Sequence, residues 1–287
     1  MAERIEVILL AILITCMVSI TVKEVRPVYA ESKITAVIVP YDTITSPGIV
    51  VWPQAKVITK KFQILERPVS GERLEFFEDD RYLGLALTGG DGIGAIRYTP
   101  LSKGIHKIKV RLLSASAYTS QEEEMLIGVW DSSKKLLLVS VDALRERSKE
   151  IRFPFIGRLK KDAERHPLEH SMDILSDISQ RFNIVYLYHG DSSHLSEIKS
   201  WLNKNKFPVS PLLIWNDSTG LINKLITERR SNIKGVVVTS GEETAIFQKD
   251  QIRTLLLVEK KEESEYKRRL KEMTIVIDWR EIKKNIE

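Results

Sequence analysis

The chain has 287 residues, with 44 basic and 39 acidic side chains giving a formal net charge of +5, and it is 43% hydrophobic and 29% charged. That balance excludes wholesale disorder and collagen-like repeats, and the length predicts two domains of ~100–200 residues each. The lone cysteine, Cys16, excludes an intramolecular disulfide framework and a cysteine-based zinc site. A surplus of five charges is too small to argue for nucleic acid, so no nucleic-acid partner is expected.

The first segment to interpret is Val7 to Val22, VILLAILITCMVSITV, an apolar run closed by Lys23. It falls short of the ~20 apolar residues that a spanning helix needs. Val28-Tyr29-Ala30 then offers the small-residue pattern of a secretory cleavage site. Residues 1–30 therefore predict a signal peptide, with a retained N-terminal anchor through residues 7–22 as the alternative. Either reading predicts an exported protein, periplasmic or extracellular, or one held at the membrane.

Residues 33–131 read as short β runs divided by turn signals, the spacing of an all-β sandwich. The runs are ITAVIV, GIVVW, KVITKKFQIL, ERLEFF, YLGLALT, GAIRYT, HKIKVRLL and EMLIGVW. Pro68, Gly71, Glu72, Gly84, Thr88, Asp91, Gly92, Tyr98, Thr99, Pro100 and Gly104 follow a rhythm that resembles the immunoglobulin-like repeats of bacterial surface proteins. The same glycines and aspartates also suit plain hairpin turns. No catalytic constellation falls in this half.

At Ser132 the pattern changes. LLLVSVD (136–142) is a continuous apolar run, as for a strand buried on both faces of a parallel sheet. Helical and strand segments then alternate through NIVYLY (183–188), PLLIW (211–215), GVVVTS (235–240), TLLLVEK (254–260) and MTIVIDW (273–279). The alternation predicts an α/β Rossmann-like layer structure over residues 132–287, with ligands at the carboxyl ends of its strands. The mixed-sign run KKEESEYKRRLK (260–271) predicts an exposed helix.

The segment NIVYLYHGDSSHLSEIKSWLNKNKFPVSPLLIWND (183–217), with Trp201-Leu202 and Phe207-Pro208, resembles the haloacid-dehalogenase (HAD) type phosphohydrolases. Within them it is most similar to lipins, actin-patch phosphatidate phosphatases and the lipin-like domain of retinal-degeneration-B type phosphatidylinositol transfer proteins. The resemblance implies a first-strand Asp nucleophile, an acid/base Asp two residues on, a Ser or Thr, a Lys, and acidic Mg²⁺ ligands. Matched residue by residue, the nucleophile position holds Ser140 and the acid/base position Asp142. Tyr188 stands at the Ser/Thr position, Lys224 is the candidate Lys, and Ser240 and Glu243 stand in the metal motif, followed by Phe247. A serine hydroxyl brings neither the charge of a carboxylate nor its affinity for Mg²⁺. The resemblance therefore implies a catalytically degenerate domain with no cofactor, Asp142 and Glu243 being its only remaining metal ligands.

Residues 1–30 carry three basic and three acidic groups and residues 31–130 carry twelve of each, so the whole surplus lies in residues 131–287. Much of it is concentrated where Arg145, Arg147, Lys149, Arg152, Arg158, Lys160 and Lys161 face only Glu146 and Glu150, around the apolar Phe153-Pro154-Phe155-Ile156. Such a segment suits anionic phospholipid or a phosphorylated ligand, and equally suits a solvated loop. Arg145, Arg147, Lys149, Arg152, His189 and Asp191 are the expected ligand-binding residues. His166, His170 and His194 could suggest zinc, but Pro167 interrupts the first pair and no H-E-x-x-H pattern is present. The leading expectation is an exported, non-catalytic HAD-like protein that binds an anionic ligand or acts as a scaffold for an envelope protein. Its rival is an active Mg²⁺-dependent phosphatase in which Asp142 or Asp191 attacks and Glu242 and Glu243 hold the metal.

Overall fold

The computed structural model describes residues 33–61, 65–147, 165–215, 221–269 and 273–286. Residues 1–30 lie outside these, so the predicted signal peptide or anchor does too. Among the described residues, no helix is long and apolar enough to cross a membrane.

The N-terminal half is built from β1 (Val37–Tyr41), β2 (Thr43–Thr45), β3 (Gln54–Lys61), β4 (Leu65–Pro68), β5 (Arg73–Glu78), β6 (Arg81–Leu87), β7 (Ile93–Ala95), β8 (Gly104–Leu112) and β9 (Glu123–Val129). One sheet runs β2-β9-β8-β5-β6; the other runs β1-β3-β4, with β7 also pairing β3. Alternate residues point inward, so Ile38 and Val57 from one sheet meet Leu74, Phe76, Ile108, Val110, Met125 and Ile127 from the other in one buried cluster. The turn residues have local structural roles. Gly92 has φ +78°, and a Cβ there would sit 2.6 Å from the Val57 carbonyl, so no side chain fits. Thr88 Oγ1 donates to the Val69 carbonyl at 2.8 Å and accepts from the Glu72 N–H at 2.9 Å, tying two hairpins together.

Two predicted β runs differ from what forms. KVITKKFQIL is not one strand: residues 56–61 belong to β3 and Leu65 opens β4, which pairs antiparallel with β3. GIVVW forms no strand: only Val51 bridges, to Tyr98. Ile49, Val50 and Trp52 are exposed, so most of this apolar run faces outward, and only Val51 packs against the core.

The C-terminal half begins with β10 (Leu136–Ser140), every residue of which is buried. It continues through α1 (Ser171–Arg181), β11 (Asn183–Tyr188), α2 (Leu195–Lys204), β12 (Leu212–Ile214), α3 (Leu221–Arg229), β13 (Ile233–Val238), α4 (Gly241–Lys249), β14 (Thr254–Leu257), α5 (Glu263–Arg269), β15 (Thr274–Val276) and α6 (Trp279–Ile286). The six strands form one sheet in the order β12-β11-β10-β13-β14-β15, all parallel. One face (Leu137, Val139, Tyr186, Val237) packs under Leu175 and Ile178 of α1, Trp201 of α2 and Trp279 of α6. The other (Leu138, Leu187, Val236, Val238) packs under Leu225 and Ile226 of α3 and Phe247 of α4.

Residues Thr35–Glu287 cohere as one compact unit. Val39 and Ile58 of the sandwich share the first of these buried clusters, and Trp130 belongs to the second. At the junction lies Asp42, 2% exposed. Its Oδ1 accepts from the Leu126 N–H of β9 at 2.8 Å and from Lys199 Nζ of α2 at 2.6 Å. Its Oδ2 accepts from the Leu212 N–H of β12 at 2.8 Å. Burial lifts this carboxyl above the ordinary carboxylate range, while Lys199 and the two N–H groups pull against the lift.

Candidate functional site

The strand order turns around between β10 and β13, since the chain builds the sheet outward to one side of β10 and then to the other. In open parallel sheets that switch point leaves a crevice beyond the carboxyl ends of the strands, where ligands bind. Ser140 ends β10, and Thr239, Ser240 and α4 follow β13, so the crevice lies between them.

The protein's own side chains bridge it. Ser140, 1% exposed, donates from Oγ to Glu243 Oε1 at 3.1 Å. Glu243 Oε2 accepts the Thr239 N–H at 2.9 Å and the Ser240 N–H at 3.1 Å. Ser240 Oγ in turn accepts the Glu243 N–H, completing a capping box at the start of α4. The sequence specifies this locally, because Ser240 followed three residues later by Glu243 satisfies the orphan donors of a helix start. A helix N-terminus with free N–H groups attracts phosphate. Here the Glu243 carboxylate takes the Thr239 and Ser240 N–H groups that lead into the helix, and Glu242 adds a second negative charge in the first turn.

Asp142 is engaged elsewhere. Its Oδ1 accepts from Arg145 Nε at 2.9 Å and Nη2 at 2.7 Å, with Arg165 Nη1 at 3.4 Å. Arg145 is 3% exposed. These two arginines flank residues 148–164, and the described residues on either side are paired by the Glu146 N–H to the His166 carbonyl and the Leu168 N–H to the Leu144 carbonyl. Asp142 therefore ties together the residues that flank that segment. Arg147 Nη1 donates to Glu262 Oε2 at 2.6 Å, beside the start of α5. Lys149 and Arg152 lie outside the described residues, as do Arg158, Lys160 and Lys161 and the side chain of Lys224.

Tyr188 does not enter the crevice. It is 4% exposed and packs in the cluster on the sheet face opposite Ser140, among Val141, Leu144 and Leu195. The reason lies in the pleat: Ser140 pairs with Leu187 in register, so the next residue of β11 points the other way. Its hydroxyl lies against Gly190, where any Cβ would come within 2.3 Å of it. His189 is exposed and meets Trp215 edge-on at 6.1 Å; Trp215 meets Phe247 at 5.0 Å. Asp191 caps the short turn at Ser192–His194 by accepting the Ser193 N–H. His166, His170 and His194 do not converge: His170 stands beside Glu169 and His194 beside Glu197.

Sequence reading thus brings together Ser140, Ser240 and Glu243, and separately Asp142 and Arg145, but not Tyr188. It missed Arg165 as the second guanidinium on Asp142, and Asp42 altogether. Arg165 was detectable as the basic residue closing a segment that Arg145 opens. Asp42, a single acid between β runs, reads as a turn.

Mg²⁺ would have to displace structural contacts at this donor set. It requires free carboxylate oxygens in octahedral array, whereas Asp142 Oδ1 is committed to two guanidiniums and Glu243 to a hydroxyl and two N–H groups. No group of three metal-ligating side chains occurs among the described residues. Ser140 beside Glu243 has the form of a nucleophile with its base, and among the described residues that serine is 1% exposed.

No family model matches the chain, and no curated protein matches it. Among solved structures, a D,D-heptose 1,7-bisphosphate phosphatase from Burkholderia thailandensis is similar at 13% identity and TM-score 0.39, over 53% of this chain and 97% of that one. Fibronectin(III)-like modules of Clostridium thermocellum CbhA are similar at 14% identity and TM-score 0.23, over 33% of this chain and 95% of theirs. A CARDB domain from Pyrococcus furiosus gives 9% identity and TM-score 0.24, over 33% and 94%. The immunoglobulin- and fibronectin-like likenesses fall on the N-terminal part and the phosphatase likeness on the rest.

Proposed function

We propose that this chain is an exported, non-catalytic HAD-like protein of the lipin-related type. In this reading it uses the basic loop, and not the crevice, to engage phosphorylated headgroups on an anionic surface. One observation carries it: Glu243 spends one oxygen on Ser140 and the other on the N–H groups of Thr239 and Ser240. Both the phosphate position and the metal ligand are thereby used for structure. The sequence from Arg145 to Lys161 concentrates the surplus positive charge around Phe153-Pro154-Phe155-Ile156, and each basic group near an anionic bilayer contributes about 1 kcal/mol.

The expected result is co-sedimentation of the protein with phosphatidylcholine vesicles containing phosphatidic acid, but not with phosphatidylcholine alone. The triple variant Lys149→Glu, Arg152→Glu, Arg158→Glu should weaken that binding about 100-fold or more, three charges at about 1 kcal/mol each being lost. Binding should also fall as salt rises. Absence of binding at low salt, or equal binding to neutral vesicles, would turn the reading to an envelope scaffold.

A further inference from the structure

A second cleft, of about 690 Å³, opens at the junction of the two halves, between β2 with the segment after it and α3 with the turn that follows. Its size is that of small-molecule sites, ~300–1,000 Å³. The run predicted as a strand supplies its outer wall: Ile49, Val50 and Trp52 are 57%, 37% and 60% exposed. Four neighbouring positions placing three large apolar side chains in solvent is unusual on a monomer surface and marks a contact site. Leu213 and Leu225 line it from the α/β side, both buried.

The polar lining narrows the ligand. Arg229 is fixed by donating to the Trp130 carbonyl at 3.0 Å and to Ser46 Oγ at 2.8 Å. Asp131 is held by Lys103, whose hydrogen bond, with those of Ser133, keeps its carboxyl below the usual range. An anion entering here would meet Asp131 and Glu228 on the same lining, so anionic ligands are disfavoured. Asn232 also lines the cleft, 4% exposed, and its Oδ1 has no hydrogen-bond partner among the described residues. A buried amide left so costs ~1–3 kcal/mol, which a bound group would recover. Its Nδ2 donates to the Asp131 carbonyl at 3.5 Å, which fixes the amide's orientation and leaves Oδ1 as the open acceptor. A hydroxyl donor satisfies it. An aromatic side chain beside an amide that seeks a hydroxyl fits a molecule with apolar C–H faces and hydroxyl edges.

We propose that this cleft binds a neutral carbohydrate chain, stacked on Trp52 and hydrogen-bonded to Asn232. The molecule carries its own reporter, because Trp130, Trp201, Trp215 and Trp279 are all at most 9% exposed and only Trp52 is open to a collisional quencher. The test is acrylamide quenching of tryptophan fluorescence in the full chain with maltotriose, cellotriose and tri-N-acetylchitotriose, followed by calorimetry. At least one should shield Trp52, with half-saturation at or below about 1 mM. Trp52→Ala, at a solvent-exposed position, should retain the fold and abolish the calorimetric signal; Asn232→Ala should weaken binding about tenfold. Failure of all three sugars at that concentration overturns the proposal, as does binding that Trp52→Ala leaves intact. Binding of a Val–Thr β-strand peptide with no sugar binding would instead assign the cleft to strand addition on β2.

Discussion

Asp42→Ala is expected to lower the unfolding free energy by about 3–5 kcal/mol, the largest loss of any single substitution considered for this chain. The carboxylate is wholly enclosed and satisfies three donors from three elements: Leu126 N–H in the sandwich, Leu212 N–H at the sheet edge and Lys199 Nζ on α2. Alanine leaves two buried N–H groups without acceptors and removes the anion beside a Lys199 whose side chain is 19% exposed. Lys199→Met should cost less. Asp42 keeps its two backbone donors, and burial already favours its neutral form. Urea unfolding followed by circular dichroism would measure both. Because the two halves share buried clusters, Asp42→Ala should shift one cooperative transition, not separate two. A loss below 1 kcal/mol would show that the junction is held by its apolar contacts alone.

Ser140→Asp, the change that installs the nucleophile expected from the HAD resemblance, should destabilise the protein by about 2–4 kcal/mol. The hydroxyl now donates to Glu243 Oε1 at 3.1 Å inside a buried site. A carboxyl there must either repel Glu243 or take up a proton, and both cost stability. Ser140→Ala loses only one hydrogen bond, about 1 kcal/mol. Adding Glu243→Gln to Ser140→Asp should recover part of the loss, and the double-mutant cycle measures the coupling. If Ser140→Asp is instead neutral and gains Mg²⁺-dependent stability, the crevice is a metal site awaiting one residue.

The parallel sheet was legible because its strands are continuous apolar runs and its helices carry apolar residues at helical spacing, as in Leu195, Ile198, Trp201 and Leu202. Sandwich strands were legible where inward residues alternate, as in β9, and failed where an apolar run had another use, as at Ile49–Trp52. At the crevice, Ser140, Ser240 and Glu243 could be named from sequence, since the first-strand motif places one and the metal motif the other two. Their hydrogen bonding could not, because Ser140 and Glu243 lie 103 positions apart and meet only through the strand order. Tyr188 was misplaced for a related reason. Its position at a strand end was right, but the side of the sheet it faces depends on a register that one sequence does not display. Asp42 carried no signal, since a buried acid between strands looks like a turn until the donors of β9 and β12 are in place.

The crevice at the switch point is bridged by the protein's own groups, and on the proposed reading it transfers no phosphoryl group. Turnover of p-nitrophenyl phosphate and of phosphatidic acid in mixed micelles, with and without Mg²⁺, by the full chain and by Asp142→Asn tests this. The expected result is no Mg²⁺-dependent release of phosphate above that of the variant. Mg²⁺-dependent turnover that Asp142→Asn abolishes would contradict it.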